Sequence, residues 1–91
     1  MTIKLITMDE LLAKFDPRTR PAIQMLPKKQ PTATHIALFE NLQMDSSALG
    51  ACTAVLVGPD NTFKTLEEID GRHLGDLPSQ RQYAVAAVAL T

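Results

Sequence analysis

The sequence predicts an α+β domain: a small antiparallel sheet of three to four strands with the N-terminal helices packed on one face. Three observations predict it. Residues 34–44, 51–57 and 81–90 are short apolar runs, two T-x-x-E spacings mark helix starts, and 91 residues with 45% hydrophobic and 21% charged content suit one domain with one modest core. Residues 1–31 read as a basic helical segment and 32–91 as a mainly β body.

The elements follow in order. Thr7 and Glu10 have capping-box spacing, which predicts a helix over 8–15 that must stop before Pro17. Asp16 followed by Pro17 starts a second helix, kept short by Pro21 and Pro27, and residues 28–34 read as a linker. In HIALFENLQM, residues 35–44, Ile36, Leu38 and Leu42 fall on one strand face and Ala37 and Phe39 on the other, a buried strand. MDSSALG, residues 44–50, is a loop of side chains that bond their own backbone. ACTAVLV, residues 51–57, predicts a second buried strand, antiparallel to the first. Gly58, Pro59, Asp60 and Asn61 are turn residues, and Thr65 with Glu68 predicts a helix over 66–70 ended by Gly71. YAVAAVAL, residues 83–90, is ambiguous. Its alanines and the Ser79–Gln82 spacing favour a helix, whereas Tyr83, Val85 and Val88 favour a strand. Apolar residues on both faces decide for a strand in a sheet covered on both sides. With helices on one face only, a second subunit is expected to bury the other, making a homodimer the minimum assembly.

Charge and cysteine content narrow the function. Cys52 is the sole cysteine, so no intrachain disulfide can form and a reduced, cytoplasmic setting is the default. The apolar start meets Asp9 and Glu10 too soon for a secretory signal, and no run approaches the ~20 apolar residues of a membrane span. The net charge of -1 hides an asymmetry: residues 1–31 hold six basic and three acidic groups, net +3, and residues 32–91 three basic and seven acidic, net -4. Arg18, Arg20, Lys28 and Lys29 cluster, but with Phe15 as their one aromatic neighbour and a pI near 6.0 they disfavour nucleic acid as the partner.

No diagnostic motif supplies chemistry. Ser46, Ser47 and Ser79 with His35 and His73 offer nucleophiles and bases that no local geometry links, and the histidines lack metal-ligand spacing. Glu67 and Glu68 are adjacent and point apart on a helix, which disfavours general acid–base work by the pair, and no metal or cofactor is implied. Small polar loops carry a stronger signal, with Ser46 and Ser47 in one and Asn61, Thr62 and Lys64 in a second. A third, GRHLGDLPSQRQY over 71–83, offers Arg72, His73, Gln80 and Arg81. If the second and third loops share one end of the sheet, Lys64 and Arg81 converge on a small anion. The expected function is therefore a non-catalytic binding module for a small anionic ligand such as a nucleotide. The alternatives are an interaction or inhibitor protein using the basic N-terminal segment and an exposed sheet edge, and a small hydrolase or isomerase.

Overall fold

A computed structural model describes residues 3–45, 48 and 50–90 of the chain. Its elements run β1 (Lys4–Leu5), α1 (Met8–Leu12), α2 (Arg20–Lys29), β2 (His35–Glu40), β3 (Cys52–Val57), α3 (Leu66–Ile69), β4 (His73–Leu74), a 3-10 turn (Pro78–Gln80) and β5 (Gln82–Ala89). Together they form a small mixed α/β fold with a five-stranded sheet ordered β1-β5-β2-β3, with β4 also beside β5. Every pairing is antiparallel except that of β1 with β5.

Local chemistry sets the helix boundaries. The capping box at Thr7 is complete: Thr7 Oγ1 accepts from Glu10 N and Thr7 N donates to Glu10 Oε1, both at 3.2 Å. The chain then tightens, with Lys14 N on Leu11 O and Phe15 N on Leu12 O, so α1 ends at Leu12 rather than at residue 15. Asp16 turns the chain by accepting from Arg18 N at 2.8 Å, and α2 begins at Arg20 instead of Pro17. The prolines do not keep α2 short. Pro21 lies in the first turn, where a missing N–H costs nothing, and Pro27 lies in the last, so the helix reaches ten residues and takes in Lys28 and Lys29. At α3 the second capping box is absent: Thr65 makes no side-chain cap, and Glu68 Oε2 instead accepts from Lys64 N at 3.0 Å. Gly71 follows α3 with φ +79, the left-handed conformation glycine adopts without a Cβ clash.

Strand alternation splits the core. Ile36 and Leu38 of β2 join Leu11, Leu12, Ile23, Ala86 and Val88 in one cluster. Ala37 and Phe39 join Ile3, Val57, Leu66, Ile69 and Ala87 in the other, with Phe63 and Leu74 packed against it. α1 and α2 therefore contribute to the first cluster and α3 to the second. This removes the premise for a second subunit: Ala37, Phe39, Val57 and Ala87 are each 0% exposed within the single chain.

Further differences from expectation have simple causes. β1 and β4, two residues each, raise the strand number to five. The 34–44 strand stops at Glu40 because Asn41 is a buried turn residue, leaving Leu42 66% exposed. The 83–90 run forms a strand up to Ala89, β5, which lies between β1 and β2 and carries an irregularity opposite Leu38 and Phe39. β3, expected to be buried, is the last strand of the sheet, and its residues 52–56 are only half-buried.

Candidate functional site: the open edge of β3

The polar loops do not converge as the sequence suggests. The 58–61 turn leaves β3 at the end of the sheet where His35, Val57 and Ala89 are aligned, whereas Arg81 precedes β5 at the end where Glu40, Cys52 and Tyr83 are aligned. Lys64 Nζ donates to Pro59 O at 3.1 Å and to Asn61 O at 3.2 Å, which ties its ammonium to its own turn. Arg72 Nε is likewise committed, to Glu68 O at 3.2 Å. Asn61 is half-buried and Thr62 exposed in the same turn. A second group lies around β4 and the start of β5. The His73 ring stands 5.9 Å from that of Tyr83, and a Cβ on Gly75 would come within 3.0 Å of Gln80 O. Arg81 Nε is buried without a partner among the described residues. Ser46 and Ser47 lie outside the described residues. Neither histidine faces a serine or cysteine in the contacts given for its ring: His35 Nδ1 is 2.9 Å from Thr34 Oγ1, and the His73 ring lies tilted against that of Tyr83. No group of three or more metal-ligating side chains occurs among the described residues, and no helix there is long and apolar enough to cross a membrane.

A different feature emerges where β3 ends the sheet. Asn41 N donates to Ala51 O at 2.7 Å and Thr34 N to Val57 O at 2.8 Å, so the odd-numbered residues of β3 turn their backbone groups toward β2. Antiparallel alternation then turns those of Ala54 and Leu56 outward, where no strand lies among the described residues. Edge strands are ordinarily shielded by shortness, charge, proline or a bulge. β1, at the opposite side, is two residues long and carries Lys4. β3 has six residues, CTAVLV, and none of these devices.

Beside this edge runs an open groove of about 570 Å³. Phe15, Arg20, Ile23 and Leu26 line it from the helical side, Cys52 and Ala54 from the sheet. Arg20 braces the helical wall, its Nε donating to Leu12 O at 2.9 Å and Phe15 O at 3.2 Å. The rim near Cys52 includes Ala48 and Gly50. Gly50 is tied to the sheet because Gln82 Nε2 donates to Gly50 O at 2.7 Å while Thr53 Oγ1 holds the other end of the same amide. Asn41, 3% exposed, pins the adjoining loops: its Nδ2 donates to Ser79 O at 3.0 Å and its Oδ1 accepts from Gln43 N at 2.9 Å.

Cys52 forms part of the groove wall. Burial, and after it the Glu40 carboxylate, push its thiol above the usual range, with Lys14 acting weakly in the other direction. A raised thiol pKa leaves less thiolate at a given pH. Iodoacetamide at about pH 8 is expected to alkylate Cys52 several-fold more slowly than a cysteine in an unstructured peptide. Equal rates would mean that the thiol is solvated. A comparison with protein-family models, curated proteins and solved structures finds no match for this chain.

Proposed function

We propose that this chain is a non-catalytic interaction module that takes an extended segment of a protein partner along the open edge of β3. The observation that carries this reading is the six-residue unshielded edge, with Ala54 and Leu56 presenting backbone donors and acceptors next to an apolar groove. An added strand gains affinity from main-chain hydrogen bonds and selectivity from pockets for alternate side chains, and this arrangement offers both. The anion-binding reading has less support, because Lys64 Nζ and Arg72 Nε already donate to nearby backbone carbonyls and Arg81 lies at the other end of the sheet from the 58–61 turn.

Ala54→Pro tests the proposal. Proline removes the outward N–H and obstructs the edge, yet it deletes no β2–β3 hydrogen bond, because the Ala54 N–H points away from β2. The variant is expected to melt within a few degrees of the parent while losing about tenfold or more in partner affinity, near 1.4 kcal/mol. The measurement is quantitative capture from the native extract with parent and variant side by side, followed by hydrogen exchange on the captured complex. Added protection at residues 52–57 with the parent alone is the expected result. Equal capture by a folded Ala54→Pro protein, or protection elsewhere, would sink the reading.

A further inference from the structure

The walls of the groove carry an inference that does not depend on strand pairing at β3. We propose that the groove is a binding site for a small amphipathic acid, a compact apolar body that ends in one carboxylate. Its volume of about 570 Å³ falls within the roughly 300–1,000 Å³ of sites that enclose a small organic molecule. Cys52 and Ala54 give the sheet wall small side chains, which leaves room for an apolar body against Phe15, Ile23 and Leu26 of the helical wall. Phe15 and Leu26 are half-buried, so part of each is still open to be covered.

Arg20 sets the charge of the ligand. It is half-buried in the groove wall, and its Nε is spent on Leu12 O at 2.9 Å and Phe15 O at 3.2 Å. These two bonds hold the guanidinium in place, while its two terminal amino groups make no hydrogen bond among the described residues. A guanidinium already fixed loses little freedom on binding, and its remaining pair of donors matches the two oxygens of a carboxylate. The other charges of the lining leave that role open. Asp16 accepts from Arg18 N at 2.8 Å, and no ion pair among the described residues joins it to Arg20. Lys14 stands 3.8 Å from Glu40. Two cations and one acid therefore line the groove, net +1. A neutral ligand would displace water from the Arg20 amino groups without supplying an acceptor, and a cationic one would set like charge against like. A phosphate would call on more donors than this one pair, so the walls favour a monoanion with an apolar body.

The test titrates three probes of one shape into the intact protein and follows them by amide-resolved NMR: 2-naphthoate, 2-naphthamide and 2-naphthylmethylammonium. The acid is expected to bind roughly three- to tenfold more tightly than the amide at low salt, and the ammonium most weakly, with the differences shrinking as salt rises. Shifts should gather at residues 13–26 and 50–54 and include the Arg20 Nε–H signal. Arg20→Gln is expected to bring the acid down to the affinity of the amide. Because Arg20 also braces Leu12 and Phe15, a second variant leaves it in place: Ala22→Phe, at an exposed position that lines the groove, fills the space. It should weaken all three probes about tenfold while the melting temperature moves by no more than a few degrees. Should Arg20→Gln fail to fold, the order of the three probes on the parent decides the charge. Equal binding of acid and amide, shifts centred on Lys64, Arg72 or Arg81, or full affinity in a folded Ala22→Phe protein would each overturn the inference. So would the absence of saturable binding by the acid, or a dimer of the unliganded chain whose interface covers the groove.

Discussion

Phe39→Ala is expected to destabilise the protein by about 3–5 kcal/mol. Phe39 is fully buried on β2, a strand paired with β3 on one side and β5 on the other. Its cross-strand neighbours on that face are Thr53 and Ala84, and its ring lies 6.0 Å from that of Phe63. The neighbours are small and the sheet cannot collapse inward, so truncation leaves a cavity. Against a total stability of roughly 5–14 kcal/mol for this length, the loss should lower the melting temperature by more than about ten degrees. Urea denaturation should show a lower midpoint at unchanged slope. Phe39→Leu, expected to cost less than half as much, covers the case in which the alanine variant does not fold. A cost below about 1 kcal/mol for Phe39→Ala would mean that the ring does not fill the core.

What could be read from the sequence was what is local. Thr7 and Glu10 form their capping box because both partners lie within one turn. The alternation of Ile36 and Leu38 against Ala37 and Phe39 likewise emerges as two separate clusters. What could not be read depends on distant pairing. β1 is recognisable only through its parallel register with Ala86 and Ala87, and two residues are too few to show a period. Ile3, Phe63, Leu66, Ile69 and Leu74 cover the second face from short elements and loops with no common pattern, which is why that face looked bare.

The candidate site was legible in chemistry but not in place. CTAVLV reads as a buried strand because nothing in it is charged, and whether such a strand lies inside or at the edge depends on sheet order. The same order separates Arg81 from the 58–61 turn. The i, i+4, i+7 spacing of Ala22, Leu26 and Lys29 is obscured in the sequence because Pro21 and Pro27 carry the signature of helix breakers, which makes residues after Pro27 look like a linker although α2 runs through Lys29.

Asn41→Asp is expected to make stability fall as pH rises, by about 3–5 kcal/mol once the carboxylate is ionised. The buried Asn41 both accepts, from Gln43 N, and donates, to Ser79 O at 3.0 Å. A protonated aspartic acid reproduces both bonds, whereas an ionised one loses the donor and sets a buried negative charge against the Ser79 carbonyl oxygen. Desolvation and this repulsion both disfavour the charged form, so the pKa in the folded variant lies above its unfolded value of about 4. The sign follows by linkage: relative to the parent, the variant keeps its stability below about pH 4 and loses it progressively as pH climbs through the raised folded pKa. Asn41→Ala has no titrating group, and its cost, about 1–3 kcal/mol from the lost hydrogen bonds, should not change with pH. Because Asn41 anchors the loops that adjoin the Ala48 and Gly50 rim, the aspartate variant should also bind edge peptides more weakly at neutral than at acidic pH, after correction for the parent's own pH dependence. Urea titrations of the three proteins between about pH 4 and pH 8 decide it. Parallel stability curves for Asn41→Asp and the parent would show that position 41 is solvated and does not tie the two loops together.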